Sequence, residues 1–130
     1  MKRYQAREIS FVIIFEKSLN GLTIDEIIQN DTESRDIETD EYIKTVTYGV
    51  YENIEKIDEV ISNNLKGWTI SRISKVALAL LRLSVFEILF MDDIPESVSV
   101  NEAVELCKKF ATEDDAAYLN GVLGSVIKGK

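Results

Sequence analysis

The residues best suited to chemistry lie at the very start of the chain. Lys2, Arg3 and Arg7 are cations within six positions, and Arg3 and Arg7 are four apart, so a helix puts them on one face. Such a group can hold phosphates. Cations at a helix N-terminus oppose the helix macrodipole, which suggests a use beyond stability. The plainer reading is a solubilised helix end. Three phosphate contacts on a single strand correspond to a log–log salt slope near −2, at ~0.7 per contact.

Other chemistry finds little to work with. The chain has no histidine and one cysteine, Cys107. That removes the commonest general base and the usual zinc ligands. The carboxylate clusters Asp92-Asp93 and Glu113-Asp114-Asp115 lack the alternation and glycine of a calcium loop and read as helix caps. No glycine-rich phosphate loop and no nucleophile–base set can be assembled. The expectation is a protein with no catalytic residues, no metal and no cofactor.

Charge needs to be read by region. The net charge is −8, but Asp25 to Glu41 holds eight acids against Arg35 alone. The remainder carries 15 acids and 14 bases, which leaves room for a local basic face. A lone cysteine fits a reducing cytoplasm. It falls on an apolar helix face and reads as a small buried hydrophobe. No apolar run reaches the ~20 residues of a membrane span, and no signal-peptide core follows the basic start.

These residues must be placed by helices. The chain holds a single proline and almost no alternating pattern, so its 130 residues predict one all-helical domain. The first helix spans about Arg3 to Leu19. Thr23 and Glu26 form a capping box for a short second helix. Asn30 to Glu38 is polar and acidic, and predicts a mobile loop. Thr39 or Asp40 caps a helix whose seam runs Ile43, Val46, Val50, Ile54, Ile57, Ile61 and Leu65. Gly49 inside it predicts a close helix contact or a bend. Trp68 to Ile73 reads as a short helical turn. Ser74 to about Phe90 is apolar nearly all round and belongs at the centre. Ser99 and Glu102 predict a second capping box, for a helix ending near Phe110. Thr112 and Asp115 open the last helix.

Two charges interrupt the central helix. Arg82 predicts an ion pair, whereas Glu87 is open to either a buried pair or an exposed contact with a basic partner. Asn120-Gly121 sits mid-helix, where neither residue is favoured. The expected reason is close packing, with Gly121 admitting another helix and Asn120 bonding in the core.

The order of these segments resembles the NusB family of bacterial transcription antitermination factors. The matching pieces are Arg3-x-x-Ala6-Arg7, Gly67-Trp68 with Ile70 and Arg72-Ile73, Leu81-Arg82-Leu83, Phe86-Glu87 and Asp93-Ile94-Pro95. Asn101 to Leu106, Phe110 and Asn120-Gly121-Val122-Leu123 continue them in family order. The resemblance spans essentially the whole chain. It implies an all-α fold of two small packed helical bundles, about seven helices.

The family resemblance also implies the partners. They are boxA-like single-stranded RNA of ribosomal RNA leaders, the small-subunit ribosomal protein NusE, and the antitermination complex on RNA polymerase. Lys2, Arg3, Tyr4 and Arg7 fall at the family's RNA-binding positions. Phe15, Glu87, Asp114 and Tyr118 fall where the family meets NusE. Tyr4 and Gln5 stand where many relatives have further arginines, Ala77-Leu78 replaces an Asp-Arg pair, and Ala111 replaces a glycine. The basic patch is therefore thin, and Tyr4 offers base stacking in exchange. The alternative is a NusB-fold protein-interaction module with little or no RNA binding. Either way the expectation is a cytoplasmic protein, monomer or homodimer, that crosses no membrane.

Overall fold

The computed structural model describes residues 1–130, and every regular element in it is a helix. In chain order these are α1 (Arg3–Leu19), α2 (Ile24–Gln29), α3 (Ser34–Glu38), α4 (Glu41–Glu52), α5 (Ile54–Asn64), α6 (Lys75–Phe90), α7 (Glu96–Phe110) and α8 (Glu113–Lys128). No helix is long and apolar enough to cross a membrane.

Helices α1 to α4 pack as one bundle and α5 to α8 as a second. Helix α6 joins them, since it lies against α1 and α4 as well as α5, α7 and α8. Its sequence explains the position: ten of its sixteen residues are buried, on every side of the helix. The buried apolar residues of both bundles form one continuous cluster through α6.

Local signals set most helix ends. Thr23 Oγ1 accepts from the Glu26 N–H at 3.1 Å, and Glu26 Oε1 accepts from the Thr23 N–H at 3.0 Å. Asp40 rather than Thr39 caps α4, accepting from the Ile43 N–H at 2.9 Å. Ser74 and Thr112 cap α6 and α8 at 3.0 Å each. Arg82 makes the expected ion pair, a two-pronged contact with Asp58 at 2.9 Å on each arm.

Five expectations are corrected. The acidic stretch Asn30–Glu38 is partly helical: Ile37 is 1% exposed and pins α3 to the core. The long apolar seam is two helices, broken where Asn53 (φ −115°, ψ 22°) leaves helical geometry. Trp68 to Ile73 forms turns rather than a helix, and the helix total is eight, in line with the expected count of about seven. Helix α7 starts at Glu96 behind Pro95, three residues before Ser99. Proline has no N–H to leave unpaired, so it suits a helix start. Ser99 is therefore a buried mid-helix residue and not a cap.

The fifth correction concerns the glycines. Asn120 and Gly121 are exposed, and a Cβ on Gly121 would meet nothing within 4 Å. Close packing does not explain them. Gly49 is the packing glycine: a Cβ there would collide with the ring of Phe86, so α4 approaches α6 only because that atom is missing.

Candidate RNA and partner surfaces

Helix α1 opens at the surface. Lys2, Arg3 and Tyr4 are all exposed, Tyr4 by 59%. Gln5, standing where relatives carry arginine, contributes a cap instead: its Oε1 accepts from the Lys2 N–H at 2.9 Å. The Arg3 guanidinium lies 4.6 Å over the ring of Tyr42 on α4. That contact holds a long cation in place at one end while leaving it open to solvent.

Arg7 behaves differently. It is 2% exposed, and its Nε donates to Glu87 Oε2 at 2.8 Å. Its Nη2 donates to Glu87 Oε1 at 3.4 Å. The Tyr42 hydroxyl donates to Glu87 Oε2, and Ser99 Oγ donates to Oε1 at 2.7 Å. One carboxylate on α6 thus gathers donors from α1, α4 and α7, and it is 0% exposed. No buried side-chain nitrogen or oxygen in the chain is left without a partner.

The electrostatics follow from this packing. Burial pulls the Arg7 guanidinium down, but the hydrogen bond to Glu87, with the charges of Glu87 and Glu102, outweighs it and leaves Arg7 held above its usual value. Burial and the Glu87 charge push the Tyr42 hydroxyl far above the usual phenol range, so it stays a donor. Cys107, as expected, is a buried hydrophobe, its thiol pushed up to about 11 by burial and by Asp115.

The expected RNA set therefore divides. Lys2, Arg3 and Tyr4 share an exposed end of α1. Arg7 lies behind it, nearly buried, with its Nε and Nη2 committed to Glu87. Glu87 likewise presents nothing to a protein partner, because all four contacts on it are internal. Sequence spacing put Arg3 and Arg7 on one face, and they do share Tyr42, but that face turns inward by the second turn.

The remaining partner positions also divide. Asp114 is exposed and Tyr118 half-buried, and both line one hollow with Trp68, Arg72, Ile73 and Ala77. Phe15 is outside that hollow. Its ring is 6.1 Å from Phe11, which is 5.2 Å from Phe110, an aromatic row between α1 and the end of α7. Trp68, 56% exposed, was not among the expected site residues. A Gly-Trp step between polar residues was the available signal for an aromatic displayed on a turn.

Comparison with known proteins places these surfaces in context. Residues 4–128 match the NusB family. The transcription antitermination protein NusB of Clostridium novyi (strain NT) is 42% identical over 132 residues, covering 98% of this chain and 99% of that protein. That of Acetivibrio thermocellus is 45% identical over 132 residues, covering 100% and 91%. Among solved structures, a complex of the antitermination factors NusB and NusE with dsRNA contains a chain that superposes with a TM-score of 0.86. It is 29% identical and covers 100% of both chains. T. maritima NusB gives 0.85 at 29% identity, covering 98% of this chain and 92% of that one.

Proposed function

Because the chain belongs to the NusB family, we propose that it acts as a transcription antitermination factor that binds boxA-like single-stranded RNA together with NusE. It works in the cytoplasm by holding its partners in the antitermination complex on RNA polymerase, with no reaction of its own. The observation that carries the RNA half is the start of α1. Arg3 is propped on Tyr42 beside Lys2 and Tyr4, and Tyr42 is itself fixed by the buried Glu87. Two cations meet phosphate and Tyr4 stacks on an unpaired base. Arg7 positions this end rather than touching RNA.

With two phosphate contacts, the salt slope on single-stranded RNA falls to about −1.4 at ~0.7 per contact. The test is a titration of labelled boxA-like RNA at several salt concentrations, with and without NusE, for the parent and for Lys2→Ala with Arg3→Ala. The reading requires tighter binding with NusE present. It also requires the double variant to bind every RNA more weakly, with a flatter slope. Unchanged affinity and slope would leave the other reading, a protein-interaction module of the same fold, which the strongly negative net charge favours.

A further inference from the structure

The strongest charge feature of the chain is the run of eight acids from Asp25 to Glu41 against Arg35 alone, and the fold sets part of it beside the start of α1. Glu33, Asp36 and Asp40 line a hollow of about 440 Å³ whose other wall is Met1, Gln5 and Ile9. Met1 and Gln5 bracket Lys2, Arg3 and Tyr4 in the chain, so the acidic wall stands at the flank of those three residues. The hollow continues past Ile9 into a second one, lined in part by Glu8, Glu16 and Asp31. No lysine or arginine lines either hollow. Of the six carboxylates only Glu8 has a cation, Lys109 at 2.8 Å.

The backbone of this wall is fixed. The buried Ile37 pins α3, Asp31 accepts from the Glu33 N–H at 2.8 Å, and Asp40 caps α4. Asp31 and Asp40 thus serve their own chain. Glu33 and Asp36 do not: both are exposed, and neither forms an ion pair. A hollow of this size is roughly as wide as the Debye length, ~8 Å at physiological salt, so their field reaches a phosphate held by Lys2 or Arg3. Acids with no structural task, set where they oppose the ligand, make sense as a device against the wrong mode of binding.

The placement of α3 gives that device a direction. Helix α3 packs on α2 and α4 in the first bundle. The expected partner positions Asp114 and Tyr118 lie on α8, which packs on α5, α6 and α7 in the second. A strand shared with that partner leaves the start of α1 toward the second bundle. A strand held by the cations alone is free to lie either way, because phosphate contacts carry no sequence information. We propose that Glu33 and Asp36 are specificity-determining residues, which bar the α3 side of the RNA-binding end to phosphate and so weaken binding of unshared strands while sparing the strand shared with NusE. The inference rests on the reading that Lys2, Arg3 and Tyr4 meet RNA.

The test uses the full-length protein and a variant, Glu33→Gln with Asp36→Asn, that keeps both side-chain shapes and removes both charges. Its thermal midpoint stays at the parent's, because neither carboxylate is paired. Two labelled single-stranded RNAs of equal length, one boxA-like and one unrelated, are titrated by fluorescence anisotropy. Without NusE the variant binds the unrelated RNA roughly three- to tenfold more tightly than the parent at ~50 mM salt, and the gain fades toward 1 M, where the Debye length is ~3 Å. With NusE present, boxA-like RNA gains less than about twofold. Adding Lys2→Ala and Arg3→Ala to the variant abolishes the gain. Three results overturn the proposal and leave the function standing: no gain on unrelated RNA, an equal gain on both RNAs, or a gain that persists at 1 M salt. A gain that survives loss of Lys2 and Arg3, or a parent that binds neither RNA even with NusE, overturns the RNA-binding reading as well.

Discussion

Replacing Glu87 by glutamine keeps the shape of the side chain and removes its charge, so it isolates the buried network that fixes α1. The parent carboxylate accepts from Arg7 at 2.8 and 3.4 Å, from Ser99 at 2.7 Å and from the Tyr42 hydroxyl. A glutamine amide has one acceptor oxygen, so donors now meet an N–H, and the arginine cannot shed its proton to relieve the site. Breaking one side of a buried ion pair costs about 3–5 kcal/mol. Orphaned donors add to this, though not additively. At ~2.1 cal/mol/K per residue, unfolding 130 residues carries an entropy of about 0.27 kcal/mol/K, so a loss of about 4 kcal/mol lowers Tm by roughly 15 °C. Thermal melts followed by circular dichroism measure the shift, with denaturant unfolding as the check on free energy. A double variant, Arg7→Met with Glu87→Met, should be less damaged than Glu87→Gln, because no buried charge remains. A Glu87→Gln protein melting within about 3 °C of the parent would show that the network contributes no more than an ordinary surface contact.

Gly49→Ala should destabilise by about 1–3 kcal/mol, because its Cβ must displace the Phe86 ring and with it the α4–α6 contact; an unchanged denaturation midpoint would show that the ring simply swings aside. Gly121→Ala should do the opposite and stabilise by about 1 kcal/mol, since the new methyl group meets open space in a helix; a lower midpoint would place a hidden contact there. Stability should hold up to pH 9 and decline as pH rises through about 11, because the Cys107 thiol, and beyond it Tyr42, must ionise against raised folded-state values. Equal melting temperatures at pH 8 and pH 11 would contradict the burial of both groups.

What the sequence made legible was local. Helices α1 and α6 have the expected limits because their apolar content and their flanking Gly and Ser residues are read within a few positions. The capping box of Thr23 with Glu26 needs only a three-residue spacing. Misreadings arise where a distant partner decides. One isoleucine, Ile37, turns an acidic stretch into a pinned helix, and nothing nearby announces that it is buried. The seam from Ile43 to Leu65 keeps its period through the break at Asn53, so periodicity cannot show it. Glu87 inside an apolar helix signalled a partner, but Arg7 is 80 positions away and carried its own plausible reading as an RNA contact. Trp68 reaches Asp114 and Tyr118 through long-range packing that includes the Lys66–Tyr118 contact, a separation of 52 residues.

The same distances set a timetable for the molecule as it is made. Arg7 leaves the ribosome early, yet its counter-charge is 80 residues behind it. At about 5–20 residues per second of synthesis, roughly 4–16 s pass before Glu87 exists. During that interval the apolar side of α1 has neither α6 to cover it nor Glu87 to hold Arg7, and the exposed cations of Lys2 and Arg3 have no fixed geometry. Helix α1 is translated before α6 and α7, yet it acquires its final form only after them. The exposed start of α1, the surface proposed for RNA, takes its fixed geometry only once α6 and α7 have emerged to close around it.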